Sequence, residues 1–193
     1  MSPRRKQFDP EEALERALEV FWRDGYDSTS VEELVTAMGI NRFSLYDTFR
    51  DKENLFLLAL ERYGQRICES LEVLENRLTG LEGVRAYFQE TVRRLRSDPV
   101  AGGCLLTNCA VEVAGSHKRA KVVLLGYLER IEEAFHAALV RARSEGELRP
   151  GLTPRDGARF LVVSLQGLAV MARAGLLERV SPAMVRVIVQ ALR

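Results

Sequence analysis

The stretch Ser30-Val31-Glu32-Glu33-Leu34-Val35-Thr36-Ala37-Met38-Gly39-Ile40-Asn41-Arg42-Phe43-Ser44-Leu45-Tyr46-Asp47 holds two short amphipathic segments separated by a turn. Ser30 followed by Glu33 has the pattern of a capping box, in which the hydroxyl accepts from the third helical N–H and the carboxylate reaches back to the cap. Val31, Leu34, Val35 and Met38 recur at three and four residues, which gathers them on one helical face. Gly39 can take the left-handed backbone that ends a helix, Ile40 offers an apolar anchor, and Asn41 can cap the next helix. Helix, glycine turn and helix over 31–48 is the layout of a helix-turn-helix, whose second helix meets DNA with its first residues. A plain helical hairpin with a polar surface shares that layout.

Upstream, Asp9-Pro10-Glu11-Glu12 starts a helix whose stripe Ala13, Leu14, Ala17, Leu18, Phe21 and Trp22 runs to a stop at Gly25. Downstream, Asp51-Lys52-Glu53-Asn54 opens a long helix. Its apolar positions Phe56, Leu60, Tyr63, Ile67, Leu71, Leu74 and Leu78 keep helical spacing over several turns. Beyond Gly80 the spacing predicts helices near 81–97, 104–114, 117–144, 154–175 and 182–192, with breaks at Pro99–Gly103 and Ser144–Glu147. No segment alternates as a strand. The expected fold is all-α, a short-helix head followed by a long-helix body.

The 193 residues are 47% apolar and 28% charged, as in ordinary globular domains, and no apolar run reaches the roughly 18 residues of a membrane span. The basic start Met1–Lys6 leads into an acidic helix rather than a signal sequence, so a cytoplasmic protein is expected. Cys68, Cys104 and Cys109 are odd in number and lack metal-ligand spacing, so neither disulfide nor zinc is expected, and no cofactor. Net charge is +1, but residues 1–52 carry eight bases against eleven acids. DNA binding would therefore depend on where the bases lie.

The residues Ala17, Gly25-Tyr26, Thr29-Ser30-Val31, Leu34-Val35, Met38-Gly39-Ile40-Asn41-Arg42, Ser44-Leu45-Tyr46, Phe49, Asp51-Lys52-Glu53 and Leu55 resemble the N-terminal pattern of the TetR/AcrR family of bacterial regulators, nearly position by position. The resemblance implies a three-helix helix-turn-helix DNA-binding head over 1–51, followed over 52–193 by a larger, variable antiparallel helical ligand-binding and dimerisation domain that holds an inducer. Three positions depart from the pattern: Phe43 replaces a small residue, Asp47 an aromatic or histidine, and Arg50 a proline or glycine.

Carried onto this chain, the resemblance places Arg42, Phe43 and Ser44 toward bases of double-stranded operator DNA and Tyr46 toward a phosphate, with Asn41 at the start of the same helix. Lys52 would meet a phosphate from a helix N-terminus, where free N–H groups and the dipole also favour anions. Ser30 could donate to the DNA backbone or simply cap. The arm Arg4-Arg5-Lys6 could enter the minor groove or solvate the terminus. Repression relieved by ligand is the implied sign; activation stays open.

In the second half, Gly103-Cys104-Leu105-Leu106-Thr107-Asn108 with Glu112 resembles an element of one branch of the family that includes members responding to electrophiles. A helix start would favour the Cys104 thiolate, while core packing is the common role of a free cysteine. Tyr63, Ile67, Phe88, Cys104, Tyr127, Phe160 and Gln166 are the candidates for the wall of an inducer cavity, each aromatic also fitting a core stripe. The long helix from Lys52, about 37 Å over about 25 residues, would join both sites. Small and apolar residues crowd the last two helices (Gly167, Ala169, Ala172, Ala174 and Gly175 beside Leu168, Val170, Met184, Val185 and Ile188), predicting a homodimer through them.

Two other classes compete with this one. An enzyme would need Cys104 or Cys109 with His117 as nucleophile and base, and the sequence provides no orienting third group, so no enzyme is expected. A helical dimer that binds a ligand or protein but not DNA is the alternative that the acidic head suggests.

Overall fold

Local capping chemistry sets the first helices of the computed structural model, which describes residues 8–77, 80–97, 102–112, 115–179 and 182–193. Helix α1 (Pro10–Asp24) begins where the Asp9 carboxylate accepts from the Glu11 N–H at 2.9 Å and ends at Gly25 with φ +85°. Helix α2 (Val31–Met38) has both halves of its capping box: Glu33 N–H donates to Ser30 Oγ at 3.2 Å, and Ser30 N–H to Glu33 Oε2 at 2.7 Å. Gly39 closes it in the left-handed region, φ +67° and ψ +31°, which a glycine takes without steric cost. Helix α3 (Arg42–Phe49) starts with Ser44 N–H donating to Asn41 Oδ1 at 2.8 Å.

Helix α4 (Lys52–Ser70) is shorter than the spacing predicts. The expected single helix through Leu78 stops at Ser70, and the chain runs on through a wide π-helical turn, Val73–Arg77. The cause is local. Ser70 Oγ donates to the Ile67 carbonyl at 2.6 Å, the acceptor that Leu71 N–H would use in a continuing α-helix. Leu71 N–H turns instead to the Cys68 carbonyl at 3.0 Å. Leu71 and Leu74 still reach the core. At 1.5 Å per residue, α4 spans roughly 28 Å, less than the expected 37 Å.

Helices α5 (Gly80–Ser97), α6 (Leu105–Glu112), α7 (Lys118–Ser144), α8 (Pro154–Arg173) and α9 (Pro182–Gln190) complete the body. No helix among the described residues is long and apolar enough to cross a membrane. Buried apolar side chains form two clusters. One joins α1–α3 to the first half of α4, to Leu105, Leu106 and Cys109 of α6, and to Ala120 and Leu124 of α7. The other packs α5, α7, α8 and α9 around Phe88, Phe135, Leu139, Leu161 and Val189. The head thus shares one apolar core with α6, which fixes it against the body.

The acidic excess of the head is largely spent inside the molecule. Glu11 pairs with Arg62, Glu15 Oε2 lies 2.5 Å from Arg66, and Glu12 Oε1 lies 2.5 Å from Arg16. These pairs fasten α1 to α4 and to itself. Such exposed pairs each contribute about 0–1 kcal/mol, so their larger effect is to hold negative charge along the α1–α4 seam.

Candidate nucleic-acid interface and its adjoining cavity

Helix α3 turns Leu45 and Phe49 inward and leaves Arg42, Phe43, Tyr46, Asp47 and Arg50 exposed. Phe43 is 77% exposed, an apolar ring held in water at the start of a helix. Arg42 pairs with Glu32 of α2 across the turn. Asn41 spends its Oδ1 on the cap, and Ser44 is half-buried beside it. Ser30 accepts at its cap and keeps its hydroxyl proton for donation. Lys52 is half-buried, with Nζ 4.3 Å from the centre of the Tyr26 ring, and burial lowers its pKa from the ordinary lysine value. The arm Arg4-Arg5-Lys6 lies outside the described residues.

A cavity of about 220 Å³ opens where α4, α5, α6 and α8 meet the end of α1. Tyr63 and Ile67 of α4, Cys104 before α6 and Gln166 of α8 line it. Phe88, Tyr127 and Phe160 do not. Phe88 is fully buried and stacks on Phe135 at 5.8 Å in the body core. Tyr127 lies on α4 at Gly64, donating its hydroxyl to the Glu61 carbonyl at 3.0 Å. Phe160 is 40% exposed on α8. From α5 the wall is instead Tyr87, Thr91, Arg94 and Leu95.

The polar groups of the cavity wall include several donors. Thr107 Oγ donates to Gln166 Oε1 at 2.5 Å. Burial, and then the neighbouring Cys104 thiol, push the Tyr63 phenol well above its ordinary pKa, so it stays protonated. Burial also raises Tyr87. Cys109, one turn into α6, is buried and its thiol is pushed up to about 12 by burial and then by Glu112, so it is packing rather than a reactive group.

The wall also includes a residue of the head. Trp22 of α1 lines the cavity and donates from Nε1 to the Gly103 carbonyl at 3.3 Å. Gly103, at φ +87°, lies so close to α8 that a Cβ there would sit 2.7 Å from the Ala169 carbonyl oxygen. Two further contacts tie the same part of the head to the body. Arg173 at the end of α8 donates to the Arg23 carbonyl at 3.1 Å and the Trp22 carbonyl at 3.4 Å, a cation on a helix C-terminus. Glu112 at the end of α6 accepts from Asp27 N–H at 2.8 Å.

Trp22 and Arg94 escaped the sequence reading. Trp22 fits the apolar stripe of α1, and nothing local marks its long-range neighbour. Arg94 carried a signal: it falls seven residues after Tyr87, on the inward stripe, where a cation is out of place.

The sequence and fold resemble those of known proteins. Residues 13–59 match the family described as "Bacterial regulatory proteins, tetR family", and residues 80–188 match "Tetracyclin repressor-like, C-terminal domain". The chain is 37% identical over 176 residues to the HTH-type transcriptional regulator YezE of Bacillus subtilis (strain 168), covering 88% of this chain and 89% of that one. It is 31% identical over 175 residues to the HTH-type transcriptional repressor ComR of Escherichia coli (strain K12), covering 89% and 83%. Its fold matches the TetR family transcriptional regulator CifR, a cysteine mutant solved with 26-bp double-strand operator DNA, at a TM-score of 0.87 and 32% identity over 98% of this chain and 100% of that one. With a helix-turn-helix at its head and both halves matching, the chain belongs to the TetR family and is a DNA-binding transcriptional regulator.

Proposed function

We propose that the protein is a cytoplasmic, homodimeric repressor that grips a near-palindromic operator with α3 of each head and releases it when a small molecule fills the cavity. The observation that carries this reading is Trp22, a residue of the DNA-binding head that is also a wall of the cavity. A ligand displacing the Trp22 ring or the Gly103 loop acts directly on the end of α1, which Arg173 and Glu112 otherwise hold in place. The coupling runs through this junction as well as along α4. Release follows only if the ligand prefers the displaced arrangement, and DNA and ligand then oppose each other reciprocally.

On DNA, Arg42, Phe43 and Ser44 are assigned to base edges, the exposed Phe43 ring suiting a thymine methyl. Ser30, Tyr46 and Lys52 are assigned to phosphates, with Asn41 ordering the helix start between them. Trp22 is the one tryptophan of the chain, so its fluorescence reports cavity occupancy. Candidate ligands are titrated into the protein bound to its own upstream DNA, following Trp22 emission and DNA anisotropy together. The two signals change with one midpoint if the reading holds. A ligand that shifts Trp22 emission at saturation and leaves operator affinity unchanged sinks it.

A further inference from the structure

From the chemistry of the cavity wall we infer that its ligand is a small organic monocarboxylate, an apolar body bearing one carboxylate that binds Arg94. This rests on the ligand-responsive reading above and adds the class of ligand. The first observation is the charge of the wall. Its lining holds two arginines, Arg66 and Arg94, and no aspartate or glutamate among the described residues. Arg66 is already engaged by Glu15 Oε2 at 2.5 Å. Arg94 pairs with no carboxylate of the described residues; its side-chain bond is a long one, from Nη2 to Thr91 Oγ1 at 3.4 Å.

The second observation is an orphaned donor. Arg94 Nε is shielded from solvent and has no hydrogen-bond partner among the described residues. Buried donors on a permanently charged group are normally satisfied, and one that is not marks a place for an acceptor. A guanidinium fork matches the two oxygens of a carboxylate, giving parallel charge-assisted bonds once Arg94 turns its Nε into the cavity. Thr91 and the protonated Tyr63 and Tyr87 phenols are neutral and add no negative charge to the same wall.

The third observation is size and polarity. Ile67, Leu95, Leu106, Ile131 and Leu165 supply an apolar floor. An apolar cavity of about 150 Å³ admits benzene, so 220 Å³ holds one ring with a short arm. Pockets for drug-sized ligands begin near 300 Å³. A single available cation in an apolar chamber balances one negative charge. A dianion such as a phosphate monoester would leave a charge buried without a partner.

The test uses the full-length protein, Trp22 fluorescence, and three acid–amide pairs of matched shape: benzoate and benzamide, phenylacetate and phenylacetamide, cinnamate and cinnamamide. In the wild type the acid binds tighter than its amide by about ten- to a hundred-fold, the range of a charged hydrogen-bonded pair. In Arg94→Gln that ratio falls to about one, while Arg94→Lys keeps a preference for the acid because its charge remains. Amides binding as well as acids in the wild type, no binding by any acid, or an acid preference surviving in Arg94→Gln would each overturn the assignment. The wild-type comparison stands whether or not a variant folds. Operator release is read separately by DNA anisotropy. Acids that bind and leave the operator bound refute the ligand-responsive reading and leave the acid site intact; release by neutral compounds alone, with no acid bound, refutes the acid site and leaves that reading standing.

Discussion

Arg50 ends α3 with φ +70° and ψ −59°, the positive-φ form of the γ-turn, closed by Asp51 N–H on the Phe49 carbonyl at 2.9 Å. It is the non-glycine residue with positive φ among those described. A non-glycine residue there costs on the order of 1–3 kcal/mol, which explains why a residue that lacks a Cβ suits this position. Arg50→Gly should therefore raise stability by about 1 kcal/mol, the strain relieved less the extra freedom glycine adds to the unfolded chain. Chemical denaturation checks it, and an unchanged or lower midpoint would show that Arg50 is not strained. Arg42 offers a second test. Its exposed pair with Glu32 is worth at most about 1 kcal/mol, and Glu32 sets a negative charge beside the proposed phosphate path. Glu32→Gln should tighten operator binding ~2–5-fold and leave base preference alone; weaker binding would mean that the pair orients Arg42 for DNA. At this scale the caps at Asp9, Ser30, Asn41 and Asp51 were legible in the sequence because each acts within three residues. Trp22 and Arg94 were not, because what sets them apart is a neighbour about 80 residues away or a bond left unmade.

The helices themselves were legible wherever spacing and punctuation agreed, and α1 to α3 lie within a residue or so of their expected bounds. Helix α4 was misjudged because its apolar spacing continues past Ser70 while its backbone does not. A serine hydroxyl competing for the Ile67 carbonyl leaves no trace in periodicity. Composition also does not reveal how α4 meets α7. A Cβ on Gly64 would sit 2.1 Å from Tyr127 Cζ, so the ring of Tyr127 lies flat on the α4 backbone and needs the missing methyl. This contact removed Tyr127 from the expected cavity wall and made it a clamp between helices. Gly64→Ala should cost about 1–2 kcal/mol in the wild type by lifting that ring. In a Tyr127→Ala background the same substitution should stabilise by up to about 1 kcal/mol, because only the helix propensity of alanine over glycine remains. The change of sign, read from a double-mutant cycle of denaturation midpoints, is the signature of contact. Equal effects in both backgrounds would place the ring elsewhere in solution.

For the molecule as a whole, the exposed apolar surface of α8 and α9 bears on the proposed homodimer, and so on how many heads would reach DNA together. On α8, Phe160, Val163, Gly167 and Val170 recur at three and four residues and are exposed, with Val163 at 70%. On α9, Met184 and Val187 are exposed apolar residues too, Val187 at 54%. A Cβ on Gly167 would meet nothing within 4 Å, so the groove beside it is open within one chain and can admit a partner helix. A stripe of this kind is hard to explain in a monomer and suits a two-fold interface, in which the same patch serves both copies. A dimer would also strengthen binding, since one short α3 helix reads few bases, and two heads set about one DNA turn apart, roughly 34–36 Å, would act together on a palindrome. Val163→Glu combined with Val187→Glu places charges where the interface would bury them and where the single chain leaves them in water. The double variant should sediment as a folded monomer at micromolar concentration, with wild-type helicity. Its operator affinity should fall by about 10²–10⁴-fold, the gain that linking two sites provides. A wild type that is already monomeric, or a double variant that stays dimeric and binds the operator unchanged, would move the interface away from α8 and α9.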